Sequence, residues 1–395
     1  MQIYGTEDLE YVQEVAIGTP EQHFTLWIKL WETEMFVPHY NCSTLECQWK
    51  RKFVPEISET FVGIENYTQW NISRDGVKAK GYYGADVVKI GMKSNEQLIL
   101  PDLMFGLAES IVYYNDTDYV TVKTKFDGFL GLLFSIRETV PSSTFFDRIC
   151  RKGILDRPIF TLWLGPRSPQ TGTPAGQITY GGTDDKNCNS SIAEIPLQTS
   201  HFSSVYYIYA YKMGSFGRHG HYYAIHTMDT WLRGPKDDVY RMAEVAGAKR
   251  NHTSGLFYIP CDAKFPDFEI TLVSKTLSLT SDKLILKVGD GSCLFGMYPM
   301  NKTAWWYIGA PFHRQYCTIF DAAKKTLSFA NVIPKELPST EGPSSTLSST
   351  KDIITTLTTA LSSGSPSTVT PTDTSGVGSY KGSLLCELFI PCFVP

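Results

Sequence analysis

The chain alternates apolar and polar residues in short runs over most of its length. These runs fall at 11–17, 24–28, 85–90, 159–164, 177–180, 205–211, 284–288 and 317–320, with Gly, Pro and Asn clusters between them. Successive side chains on a strand point to opposite faces, so a period of two marks a half-buried strand. Its recurrence at this spacing predicts an all-β domain. Helical patterning is sparse. It predicts helices over 143–152 (STFFDRICRK) and 235–247 (PKDDVYRMAEVAG), the second opening on a proline and early acids that favour a helix start.

The pattern stops near 336. Residues 339–375 are more than half Ser and Thr, with Pro interspersed. So little apolar surface cannot offset the entropy of ordering the chain. Residues 336–395 therefore read as an extended tail, either mucin-like and O-glycosylated or a plain disordered linker. The end, GSLLCELFIPCFVP, is too short to span a membrane and carries Glu387 and Pro391. A small sticky terminus in which Cys386 and Cys392 pair is preferred there over a lipid-anchor signal.

Composition narrows the function classes. With 395 residues and 42% hydrophobic content, the patterned part can bury a sizeable core, and 13% aromatics suits strands. The net charge is −4, so no basic excess exists to neutralise nucleic-acid phosphates. No apolar run approaches the ~20 residues that a spanning helix needs. The nine cysteines form no CxxC-type metal cluster. Asn-x-Ser/Thr acceptors stand at Asn41, Asn66, Asn71, Asn115, Asn189, Asn251 and Asn301. Together with the cysteines they point to a secreted, disulfide-permissive, N-glycosylated protein. The opening residues lack a basic and apolar leader pattern, so either a leader lies outside this chain or the secretory setting does not hold.

Several segments carry a resemblance, in order, from about 9 to 332. The first is YVQEVAIGTPEQHFTLWIKLWETEMFVP (11–38), with its Ile17-Gly18-Thr19-Pro20 turn and Phe36-Val37-Pro38 end. Next come the Cys42 and Cys47 pair and the run Phe126-Asp127-Gly128-Phe129-Leu130-Gly131-Leu132. Later come Ala224-Ile225, Leu232-Arg233-Gly234-Pro235, Cys261 with Cys293, and the block from Trp306 to Asp321. The whole resembles the pepsin-like aspartic peptidase family. That resemblance implies a bilobed β fold with an N-terminal lobe over 9–165, a C-terminal lobe over 166–335, and a substrate cleft between them. It also implies the disulfides Cys42–Cys47 and Cys261–Cys293.

The chemistry of that family needs two carboxylates within ~3 Å sharing one proton, one to activate water and one to polarise the scissile carbonyl. Each comes from a D-T/S-G-S/T loop. Counting back from Phe36-Val37-Pro38, the first acid position holds Lys29, followed by Leu30, Trp31 and Glu32. Counting back from Gly234-Pro235, the second holds His226, followed by Thr227, Met228 and Asp229. Both catalytic aspartates are absent. Arg74 stands at the flap tyrosine, and Trp31 and Met228 replace the loop glycines that let two backbones meet.

Each loop places an acid three residues after the new base. One reading is a charge-balanced plug built from Lys29–Glu32 and His226–Asp229 ion pairs; the other is that these side chains splay into solvent. His226 with Asp229 could act as a general base, yet no GxSxG-type nucleophile elbow accompanies them. His219, His221 and His226 do not make a metal site, since His226 has the opposite strand parity and no acid or Cys joins at a familiar spacing. No cofactor is implied. Cys150 and Cys188 are a candidate third disulfide, and Cys317 reads as a buried free thiol.

The function expected from these residues is a catalytically inactive, monomeric binding or decoy module that holds a peptide or protein partner in its cleft, or whose cleft is blocked by Trp31 and Met228. An active aspartic endopeptidase is what fold resemblance alone implies. A surface glycoprotein that displays its tail is a third reading.

Overall fold

In the computed structural model the alternating runs become, among the described residues, one long sheet and three smaller ones. The structure describes residues 1–334 apart from 7–9, 65–68, 75, 92–96, 115–118, 121–123, 136–143, 169–170, 199–204, 215–221, 253, 289–290, 302 and 304. The tail, the Cys386–Cys392 pair, His219, His221, Asn66 and Asn115 lie outside the described residues. Residues Met1–Ile333 pack as one compact unit.

Among the described residues the large sheet has 15 strands. It runs from Cys188–Pro196 through Thr326–Val332, Tyr316–Asp321, Ile159–Leu164 and Thr173–Tyr180 to Gln2–Thr6, Glu10–Ile17 and Gln22–Lys29. It continues through Gly128–Gly131, Met35–Pro38, Leu98–Tyr114 and Val77–Ile90. Strands from the start, middle and end of the chain thus lie side by side. The second half adds a five-stranded sheet whose members include Tyr207–Ala210, Tyr222–His226, Trp305–Ile308 and Leu232–Pro235. This is the all-β, bilobed arrangement that the resemblance implies. No helix among the described residues is long and apolar enough to cross a membrane.

The predicted helices form as Phe145–Arg151 and Lys236–Val245. Thr144 caps the first: its Oγ1 accepts from the Asp147 backbone N–H at 3.1 Å, satisfying a donor that the first turn leaves free. The second buries Val239, Met242 and Ala243 on one face. A third helix, Ala310–Gln315, is not anticipated by the alternation. It is too short for a 3.6-residue period to register, and its start is marked only by Pro311.

Aromatic rings join the two halves. Phe160 stacks on Phe320 with centroids 4.4 Å apart, and Tyr206 packs 4.8 Å from Phe134 and 4.9 Å from Phe320. The fully buried Tyr206 hydroxyl donates to the Leu132 carbonyl and accepts from the Phe134 N–H, both at 2.7 Å. It bolts a second-half strand to the backbone just after the Gly128–Gly131 strand. Replacing Tyr206 with Phe keeps the ring and strands the buried Phe134 N–H. The expected cost is about 1–3 kcal/mol, read as a lowered urea midpoint at unchanged m-value.

Three disulfides are present among the described residues: Cys42–Cys47, Cys261–Cys293 and Cys188–Cys317. The first two are as expected. The third corrects two expectations, because Cys188 pairs with Cys317 and not with Cys150, and Cys317 is not a free thiol. Cys188 opens the strand Cys188–Pro196, and Cys317 lies near the start of Tyr316–Asp321. Both strands flank Thr326–Val332, and the two Cα atoms lie 6.0 Å apart, beside Ala330 and Val332. Cys150 instead sits half-buried on the helix Phe145–Arg151, where burial pushes its thiol up to about 12.

Candidate functional site

Two loops of the same construction follow the strands that end at Lys29 and His226. In the first half, Gln22–Lys29 leads through residues 30–34 into Met35–Pro38. Gly128–Gly131 threads between them, parallel to the former and antiparallel to the latter. In the second half, Tyr222–His226 leads through 227–231 into Leu232–Pro235, with Trp305–Ile308 threading between in the same senses. The threading requires glycine where strand meets loop. A Cβ on Gly131 would lie 2.4 Å from the Glu32 carbonyl oxygen, and one on Gly309 would lie 2.3 Å from that of Asp229.

Lys29 and His226 end the two entering strands, but their registers differ. Lys29 pairs with Gly131 itself, whereas His226 pairs with Ile308, one residue before the equivalent glycine. In a sheet, a slip of one residue exchanges the faces on which side chains emerge. The two side chains accordingly reach different surroundings.

Lys29 is 3% exposed and enters an aromatic cage. Its Nζ lies 3.1 Å from the ring centroid of Trp27, 4.7 Å from Trp31 and 5.4 Å from Phe129. Trp27 shares the strand face of Lys29, two residues earlier, and Phe129 comes from the threading strand. The negative ring faces attract the ammonium in a site with little water. Glu32 is also withdrawn from solvent, and its backbone carbonyl accepts from the Leu133 N–H at 3.0 Å.

His226 is buried among Phe312, Phe329 and His313, with ring centroids 5.5, 5.4 and 5.7 Å away. Neither ring nitrogen has a hydrogen-bond partner among the described residues. Burial, and then the neighbouring His313, hold its pKa well below the ordinary histidine range, so the ring is neutral. His313 is buried as well. Its Nε2 donates to the Thr227 carbonyl at 2.9 Å, its Nδ1 accepts from the Thr318 hydroxyl at 3.0 Å, and burial pushes its pKa down to about 4.

The His226–Asp229 ion pair does not form. The Asp229 carboxylate pairs with Arg233, whose guanidinium also lies 5.1 Å from the Tyr307 ring. A neutral, buried imidazole offers no charge to a carboxylate, whereas Arg233 is always charged. Strand parity was the signal for Trp27 beside Lys29, whereas a four-residue separation running from a loop into a strand gives no such signal for Asp229 and Arg233. His313 had no such signal, because only the fold brings it to Thr227. Met228 is buried and Trp31 half-buried, so both loops carry bulk where backbones would otherwise approach. Arg74 ends the strand Gln69–Arg74, opposite Val77 at the hairpin tip, and its side chain lies outside the described residues.

This arrangement holds an ammonium among aromatic rings and a neutral imidazole in an apolar pocket. Neither group is an ionised carboxylate able to take a proton from water. The chain matches the eukaryotic aspartyl protease family over residues 10–332. It is 32% identical over 338 residues to aspartic protease 6 of Caenorhabditis elegans, covering 83% of each chain. It is 25% identical over 370 residues to aspartic protease 2 of Necator americanus, covering 84% of this chain and 85% of that one. Cathepsin D of Mus musculus is 27% identical over 347 residues, with 82% and 81% covered. A match of this length, over the fold just described, means that the chain belongs to the eukaryotic aspartyl protease family.

Proposed function

We propose that the protein is a catalytically inert member of its family, a secreted glycoprotein that uses the fold to bind rather than to cleave. The occupancy of the two acid positions supports this reading best: Lys29 and His226 are 3% and 1% exposed, one caged by rings and the other neutral. General acid–base groups alone are worth about 10²–10⁴ in rate, and here the pair that activates water is replaced outright. Relatives are named as proteases, but a shared fold does not carry activity to a site that lacks its acids. A peptide or protein partner would engage the rim of the cleft, since Trp31, Met228 and the caged Lys29 occupy the floor. The exposed Asn41, Asn71, Asn189, Asn251 and Asn301, together with the disulfides, support an extracellular setting.

Incubation with denatured globin at acid and neutral pH tests this. No cleavage above background is expected. The Lys29→Asp/His226→Asp double variant is expected to stay inactive as well, because the second strand keeps its slipped register and Trp31 and Met228 keep their bulk. Pepstatin-sensitive cleavage by the unmodified protein would refute the proposal.

A further inference from the structure

A polar cavity of about 770 Å³ opens in the first half, away from the caged Lys29. Its size falls in the range of sites that enclose a small ligand, roughly 300–1,000 Å³. Two N-glycosylation acceptors, thirty positions apart in sequence, line this one cavity: Asn41 and Asn71, both exposed. Asn71 is held on a strand, so its direction is set by the sheet. Gln69 and Asn71 share one face of the strand Gln69–Arg74, and their partners across the hairpin are Tyr82 and Lys80. On the next strand a register shift beside Lys80 and Gly81 leaves Glu109 as an extra residue, and it too lines the cavity. Tyr82 is fixed by a hydrogen bond of 2.8 Å between its hydroxyl and His39 Nε2. Beside it the His39 ring packs 4.4 Å from Tyr40.

We propose that this cavity seats the proximal N-acetylglucosamine residues of a glycan carried on Asn71. The chemistry of the walls matches that ligand. Lys80 and Gln69 donate, Glu109 and Glu56 accept, and the Tyr82 and Tyr40 rings offer apolar faces to a sugar ring. Because the sugar is tethered to its own wall, it occupies the seat without the entropy cost of bringing in a free ligand. The proposal rests on the glycoprotein reading above, and the experiment separates the two.

Protein secreted from a eukaryotic host is mapped for glycan occupancy and then treated with a peptide N-glycosidase, native and denatured. Release from Asn71 in the native protein is expected to lag release from the exposed Asn301 by about tenfold, the factor supplied by ~1.4 kcal/mol of contact. Denaturation is expected to abolish the lag, and Lys80→Ala with Glu109→Ala to shorten it. Chitobiose is expected to bind the Asn71→Gln variant and not the glycosylated protein. Glycans at other acceptors with Asn71 bare, or an Asn71 glycan released as fast as that of Asn301, overturn the seat while the glycoprotein reading stands. No glycan at any acceptor overturns both. Chitobiose bound by the fully glycosylated protein would mean a site for an outside sugar, and overturns the assignment to Asn71.

Discussion

Replacing Cys188 and Cys317 together with alanine is expected to lower stability by about 4–5 kcal/mol, because the bond they form closes a long loop. The two residues are 129 positions apart in sequence. Cross-linking so long a segment removes much of the freedom of the unfolded chain, and the entropy gained grows with the logarithm of loop length. By the same relation Cys42–Cys47, five positions apart, contributes far less, and Cys261–Cys293, at 32, falls between them. The bond also sits where Cys188–Pro196 and Tyr316–Asp321 flank the last strand, so its loss loosens strands from both halves. Urea unfolding of the double variant and of a Cys42→Ala/Cys47→Ala control, without reductant, measures the difference. Equal losses in the two variants would contradict the loop-length account.

Acidification is the second large effect, and its sign follows from two histidines. An ordinary histidine in the unfolded chain titrates near 6.5, while buried His313 is pushed down to about 4 and burial holds His226 well below its ordinary value. As the pH falls below about 6.5 the unfolded chain takes up protons that the folded chain refuses, so stability falls. Above about 6.5 neither state is protonated at these positions and the stability is fully present. The loss from His313 levels off near its folded pKa of about 4, and His226 adds a loss of the same sign. His313 alone contributes roughly 3 kcal/mol of loss, at 1.36 kcal/mol per pH unit.

The charged neighbour of this cluster, Arg314, reinforces the effect by lowering the His313 pKa further. Glu34 works in the opposite sense, because burial raises its pKa and the folded state accepts its proton more readily. Urea midpoints measured from neutral to acid pH should decline. His226→Phe, which keeps a ring against Phe312 and Phe329, should remove part of that decline. A stability that rises on acidification would rule the account out.

Much of the fold was legible along the chain, and the reason is local. The run at 159–164 became Ile159–Leu164, and the predicted helix at 235–247 became Lys236–Val245. Both signals lie in the spacing of neighbouring residues, where side-chain direction follows from the backbone alone. The resemblance likewise placed Cys42–Cys47 and Cys261–Cys293, whose partners are close in sequence. The short helix Ala310–Gln315 escaped because six residues hold too little of a helical period.

The candidate site was legible in identity and not in arrangement. The sequence by itself determined that Lys29 and His226 stand at the ends of two similar strands where the family has its two aspartates, and that an acid follows each by three residues. Only the tertiary structure decided that one strand is slipped by a residue, that Asp229 turns to Arg233, and that His226 is sealed against Phe312, Phe329 and His313. It also decided that Cys188 meets Cys317 and that Asn41 and Asn71 share a cavity. These outcomes depend on sheet register and on which strands become neighbours. Register and neighbours are set by burial summed over distant segments, and no local period encodes that sum.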